Sequence, residues 1–267
     1  SVNICDATAT MKTEVTGWRD RSNGELYEED KNKSTYEDQG TLRFVMAKPT
    51  IDAYVKWQNP NTKTILSGKQ RPVPYQQEFW YDMNLGNSST ATMFEGKLDL
   101  SLDMLDQNYP TESLRHRGFS LDRLEFDMTH MTDSVADKNW ATIDSIEFYD
   151  VDAMSDTDQP RAIYNKEEIL SLARANNGKL TIPRADILDN KTDWQIGRIV
   201  INLSNMDPLM KEAYDYVDEN NVTQHVDEKL LNCKLYGHAT LYERDLERRN
   251  TFEATASSVG GKSYKYT

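Results

Sequence analysis

Hydrophobic and polar residues alternate along most of this chain. The clearest stretch runs from Val73 to Leu102 and reads VPYQQEFWYDMNLGNSSTATMFEGKLDLSL. Phe79, Tyr81, Met83 and Leu85 alternate with Glu78, Trp80, Asp82 and Asn84, the period of two of a strand with one buried face. Gly86, Asn87, Ser88 and Ser89 follow, residue types that accept positive φ or bond their own backbone in turns. Leu98, Leu100 and Leu102 then alternate with Asp99 and Ser101. The stretch therefore predicts two strands of an antiparallel sheet joined as a hairpin.

The same period recurs at Leu42, Phe44 and Met46; at Ile51, Ala53, Val55 and Trp57, with Asp52, Tyr54 and Lys56 opposite; and at Leu124, Phe126 and Met128. It returns at Ile146 and Phe148, at Ile199, Ile201 and Leu203, and at Leu231, Cys233, Leu235 and Leu241. Polar, turn-rich segments of about 8 to 15 residues separate these runs, the spacing of sandwiches and barrels. One helix stands out near 166–176. Asn165 can cap it, Glu168 completes a capping box three residues on, Ile169, Leu172 and Ala173 share a face, and Gly178 can stop it. Leu209, Ala213 and Tyr216 have helical spacing, so Asp207 to Glu219 is a second, weaker helical candidate. The predicted fold is mostly β: an antiparallel β-sandwich, immunoglobulin-like or jelly-roll-like, with one short helix covering an edge or end. Polar, linker-like stretches occur at Asp20–Gly40 and Gln107–Gly118; the second suggests a division into two sandwiches, 1–112 and 113–267, with one large sandwich over 1–267 as the alternative.

Composition narrows the function classes. The 267 residues carry 31 Lys and Arg against 44 Asp and Glu, a net charge of −13. That charge repels phosphate backbones and anionic bilayers, so nucleic acid is an unfavourable partner. No run of about 18 apolar residues occurs, and no membrane-inserted helix is expected. Hydrophobic residues make up 37% and charged residues 28%, and the mean hydropathy is −0.76, values that suit a thin sandwich. The chain opens in a strand-like segment and stops at Lys265-Tyr266-Thr267, so it reads as part of a longer protein. Cys5 and Cys233 lie in no metal-binding or redox spacing. They are either a disulfide or two buried free thiols.

The segment Tyr75 to Ala91, YQQEFWYDMNLGNSSTA, resembles the repeat domains of large Gram-positive bacterial surface proteins, in which an alternating strand meets an Asn/Gly/Ser turn and a second strand. The block Phe44 to Trp57 is similar to large surface proteins of gut Firmicutes. The resemblance implies an immunoglobulin-like, secreted, non-enzymatic module on a bacterial cell surface. It also implies adhesion, in some members to host proteins including immunoglobulins in the manner of superantigens.

The candidate sites follow from residue chemistry. Asp150, Asp152, Asp156 and Asp158 crowd into YDVDAMSDTDQP. Alternate aspartates on a loop could supply oxygens to a structural Ca²⁺, although the EF-hand glycine and glutamate are missing; the alternative is a solvated acidic loop. No other cofactor is expected. The histidines His116, His130, His225 and His238 show no HxH or HExxH spacing, and no GxSxG elbow is present. His238 reads as a surface or edge histidine. Catalytic turnover is not expected. Trp80 and Tyr54 lie on the polar faces of their strands. They are binding candidates for a host protein, such as an immunoglobulin, or for a glycan, since rigid aromatic area serves both. Cover by another layer is the structural alternative for Trp80. A passive stalk spacer is the third possibility.

Overall fold

A computed structural model describes residues 5–15, 17–19, 26–28, 34–44, 47–69, 71–74, 76–89, 91–102, 119–129, 141–151, 158–239, 251–258 and 263–266; side chains are described from residue 47 onward, except at 239, 251–252, 256–258 and 263–266. The chain divides into two compact units, Ser1–Met46 and Ala47–Thr267. In the first, β1 (Cys5–Val15) pairs antiparallel with β4 (Ser34–Phe44), and β2 (Gly17–Arg19) pairs with β3 (Leu26–Glu28).

The second unit contains two six-stranded antiparallel sheets. The first sheet has the order β11-β10-β13-β8-β17-β18 and the second β12-β9-β16-β7-β5-β6. Their spans are β5 Pro49–Gln58, β6 Ile65–Gly68, β7 Glu78–Asn87, β8 Met93–Ser101, β9 Phe119–Asp127, β10 Thr142–Asp150, β11 Ala162–Asn165, β12 Lys179–Pro183, β13 Ile196–Ser204, β16 Leu231–Ala239, β17 Thr251–Ser258 and β18 Ser263–Tyr266. A separate hairpin joins β14 (Tyr214–Val217) to β15 (Thr223–Val226). Both large sheets take strands from either side of residues 112–113.

The period of two builds the core as expected. Leu98, Leu100, Ile146, Phe148, Ile199 and Ile201 of the first sheet share one buried cluster with Phe79, Met83, Leu124, Phe126, Leu231 and Leu235 of the second. Burying such side chains is worth about 1.5–3 kcal/mol each, which makes this cluster the dominant favourable term in folding. The molecule is thus a mostly β, antiparallel sandwich.

The joint between β7 and β8 corrects the hairpin expectation. These strands do not pair. β7 lies between β16 and β5, whereas β8 lies between β13 and β17 in the other sheet. The Gly86–Ser89 turn is a corner between layers, and the chain crosses between sheets again from β8 to β9, β9 to β10 and β16 to β17. Repeated crossing is the winding of a jelly roll rather than of hairpins. Asn87 builds the corner. The residue is 1% exposed; Oδ1 accepts from Lys48 N and Ser89 N at 3.1 Å each, and Nδ2 donates to Ala91 O at 2.7 Å.

The helix α1 (Lys166–Ala175) forms where expected. Asn165 Oδ1 accepts from Glu168 N at 3.1 Å, and Glu168 Oε2 accepts from Asn165 N at 2.8 Å. Gly178, at φ 84°, follows the last turn and donates to Ala173 O at 2.8 Å. A Cβ there would stand 2.6 Å from Thr129 Cα, so the position also needs glycine for space. Ile169 and Ala173 are buried, while Leu172 is 40% exposed. The helix connects β11 to β12, the outermost strands of the two sheets, and closes that side of the sandwich.

Asp207–Glu219 is not a helix. Met210 and Lys229 exchange backbone hydrogen bonds at 2.9 and 2.8 Å, Lys211 N donates to Asn87 O at 2.9 Å, and Tyr214 onward enters β14. Partners elsewhere in the chain take the amides that a helix would use internally. The second helix is α2, Arg184–Leu188, a single turn that buries Ile187.

Candidate functional site

The outer face of the second sheet gathers the polar and aromatic residues that the core excludes. Alternation places Asp52, Tyr54 and Lys56 of β5, Glu78, Trp80 and Asp82 of β7, and Asn232, Lys234, Tyr236 and His238 of β16 on this face. Register then makes rows across the strands. Lys56 pairs with Trp80, Trp80 with Tyr236, and Tyr236 with Arg123 of β9. The rings of Trp80 and Tyr236 stack at 5.3 Å with 23° between planes, and the Arg123 guanidinium lies 3.7 Å from the Tyr236 ring centroid. Since β16 lies between β7 and β9, Tyr236 is held between an indole and a guanidinium. Each such contact contributes about 0.5–1.5 kcal/mol beyond area burial.

Charge pairs fix the stack on both sides. Asp82, only 8% exposed although it faces outward, accepts from Lys56 Nζ at 2.5 Å and from Asn232 Nδ2 at 2.7 Å. Burial pushes its carboxyl upward, but hydrogen bonds from Lys56 and Asn232 outweigh that and hold it below the usual carboxylate range. Arg123 Nε donates to Glu125 at 2.7 Å and its NH1 to Glu78 at 3.3 Å. Burial, with the Glu125 carboxylate next, pushes the Tyr236 hydroxyl upward.

A β-bulge shapes the next row. Tyr236 faces Arg123, but Gly237 faces Leu121, so Asp122 is the extra residue of β9. A Cβ on Gly237 would stand 2.2 Å from Ser120 O, so this approach of the strands excludes every other residue. Asp122 thereby projects outward beside Arg123 and meets His238 Nδ1 in an ion pair. His238 is directly opposite Glu78. Oxygens of Glu78 and Asp122 and a ring nitrogen of His238 lie within 4.8 Å of one another, a three-donor set with metal-ligand chemistry.

The two aromatic candidates from the sequence, Trp80 and Tyr54, lie on this face and are half-buried. Lys69 Nζ stands 5.9 Å from the Tyr54 ring centroid. Of the aspartates at 150–158, Asp150 and Asp158 are among the described residues. Asp150 ends β10, where its Oδ1 accepts from Val151 N at 2.7 Å and Gln195 N at 3.3 Å; Asp158 is half-buried. Asp152 and Asp156 lie outside the described residues, as do His116 and His130. His225 belongs to the β14–β15 hairpin, with Nδ1 2.5 Å from Asp215 and Nε2 3.3 Å from Asp227. Cys233 is a free, buried thiol on the inner face of β16, and burial with the nearby Asp82 charge pushes it well above the ordinary thiol range. Sequence reading passed over Tyr236, Arg123 and Asp122. Tyr236 stands in the same alternating run as His238, and that polar face was the one available sign.

No known protein family and no curated protein matches the chain. The resemblance of Tyr75–Ala91 to Gram-positive repeat domains therefore rests on those residues alone. Among solved structures, a "Putative lipoprotein from Bacteroides ovatus" is similar at 10% identity over 97% of this chain and 72% of that one, with a TM-score of 0.28. At that score the fold is defined by the chain's own sheets.

Proposed function

We propose that the protein is a non-enzymatic module of a bacterial surface protein and contacts a host protein through the outer face of its second sheet. The observation that supports this reading is the row Lys56–Trp80–Tyr236–Arg123, which spans four hydrogen-bonded strands. Aromatic residues and arginine are the types enriched at the centres of protein interfaces. Their cross-strand contacts already fix the rotamers, so less side-chain entropy is lost on association. A glycan is the less favoured ligand. Sugar rings stack on open aromatic faces, and Tyr236 has Trp80 on one side and Arg123 on the other. An immunoglobulin is the first partner to test, from the resemblance of the β7 segment. Asp150, Asp152, Asp156 and Asp158 are the candidate ligands for a structural Ca²⁺.

The test is binding of a multivalent display of the chain to immobilised serum immunoglobulin and to whole serum, beside a glycan array; multivalency compensates for weak single contacts. The expected result is capture of a serum protein, weakened by about 2 kcal/mol in Tyr54→Ala or Trp80→Ala variants that keep their fold. Absence of capture from serum would refute the reading, and glycan capture would replace it with a carbohydrate-binding module.

A further inference from the structure

We infer that Glu78, Asp122 and His238 form a binding site for a borderline divalent transition cation, with Zn²⁺ the best fit. Three adjacent strands supply one donor each: Glu78 from β7, His238 from β16 and Asp122 from β9. The convergence is not an accident of surface composition. Without the bulge, the residue after Leu121 would continue the alternation, and Asp122 and Arg123 would not both project from the outer face. Gly237 holds that irregularity from the opposite strand, because no side chain fits between it and Ser120 O.

A second observation concerns Asp122 itself. Its Oδ2 is inaccessible to solvent because it is covered by its ion-pair partner, His238 Nδ1, so two of the three donors already face one another. A divalent cation would replace this ion pair, with carboxylate and imidazole moving apart far enough for each to bind the metal. The other polar contacts are modest. One Glu78 oxygen, Oε2, accepts from Arg123 NH1 at 3.3 Å, while the shorter Arg123 contact goes to Glu125 at 2.7 Å.

The donor set selects the ion. One imidazole nitrogen and two carboxylate oxygens match Zn²⁺, which takes three protein ligands and leaves a fourth position to water or to a partner's side chain. Ca²⁺ wants six to eight oxygens, and Mg²⁺ keeps most of its waters, so neither fits three donors of which one is nitrogen. A tetrahedral Zn²⁺ places its ligands about 3.3 Å apart, so Glu78, whose side chain is 45% exposed, would swing inward while the closer Asp122–His238 contact opens to admit the ion. On binding, Nδ1 of His238 becomes the ligand and gives up any proton it carries, which leaves the ring proton on Nε2.

The test is calorimetric titration of the whole chain with Zn²⁺, repeated with Co²⁺ so that its visible absorption reports nitrogen ligation. The expected result is one saturable site at residues 78, 122 and 238. Glu78→Gln, Asp122→Asn and His238→Gln should each weaken it about tenfold or more, and His238→Gln should change the Co²⁺ spectrum. His225→Gln, which alters a second histidine–carboxylate cluster among the described residues, should leave both readouts unchanged. Thermal melts without metal establish that each variant is folded; if Asp122→Asn is not, the exposed Glu78→Gln carries the test. No saturable uptake at submillimolar Zn²⁺, or uptake unaffected by Glu78→Gln and His238→Gln, would overturn the assignment.

Discussion

The corner between β7 and β8 makes a stringent test of the fold. Replacing Asn87 with Ala removes three hydrogen bonds at once: from Lys48 N, from Ser89 N and to Ala91 O. Each contributes about 1 kcal/mol net, and a backbone group left unpaired in a partly buried setting costs more. Lys48 is exposed, so water can reach its amide, whereas Ser89 and Ala91 are half-buried. The sum is about 3 kcal/mol. The loss should appear in urea denaturation followed by near-UV ellipticity, as a lower midpoint with an unchanged slope. Asn87→Asp keeps both acceptor bonds but loses the donor to Ala91 and places a carboxylate where only 1% of the residue is exposed. Its deficit should therefore shrink as the pH falls and the carboxyl takes up a proton. A loss below about 1 kcal/mol in Asn87→Ala would mean that the strands do not cross between sheets through this side chain.

Three further outcomes are expected. Asp82 has a folded pKa held below its unfolded value, so the stability it contributes is present above the unfolded carboxylate range near pH 4 and is lost as pH falls through the folded pKa; the urea midpoint of Asp82→Asn should depend less on pH along the acid limb, and an unchanged dependence would count against the Lys56–Asp82 pairing. A double-mutant cycle between Trp80→Ala and Tyr236→Ala should show a coupling of about 0.5–1.5 kcal/mol in stability, whereas additive effects would mean the rings do not stack. Cys233, buried and with its pKa raised, should react with a thiol reagent only as fast as the sandwich unfolds, and rapid labelling in native buffer would contradict its place in the core.

Much of the architecture was legible because it is local. The period of two assigned the inward faces of β7, β8, β9, β13 and β16 correctly, since burial of alternate side chains follows from strand geometry alone. The helix at 166–175 was legible for the same reason. Its capping box lies within four residues, and Gly178 is needed three residues past its end. Trp80 and Tyr54 were placed on the outer face by alternation. Asp207–Glu219 failed because spacing alone cannot weigh the backbone bonds that Met210 and Lys211 make to distant segments.

What sequence could not decide is which strands lie side by side. Phe79–Leu85 and Leu98–Leu102 point into the core whether the turn between them makes a hairpin or a corner, so periodicity is identical in the two cases. The choice is made by partners far along the chain: β16 and β5 flank β7, and β13 and β17 flank β8. The candidate site depends on that choice entirely. Trp80, Arg123 and Tyr236, and likewise Glu78, Asp122 and His238, become neighbours only through the registers of β7, β9 and β16. The bulge at Asp122 appears only when β9 and β16 are laid together. The sequence by itself determined which face of each strand is buried, because that preference is carried by the side chain. The tertiary structure decided which outward side chains meet, because strand pairing is a long-range interaction between backbones that are alike whatever their sequence.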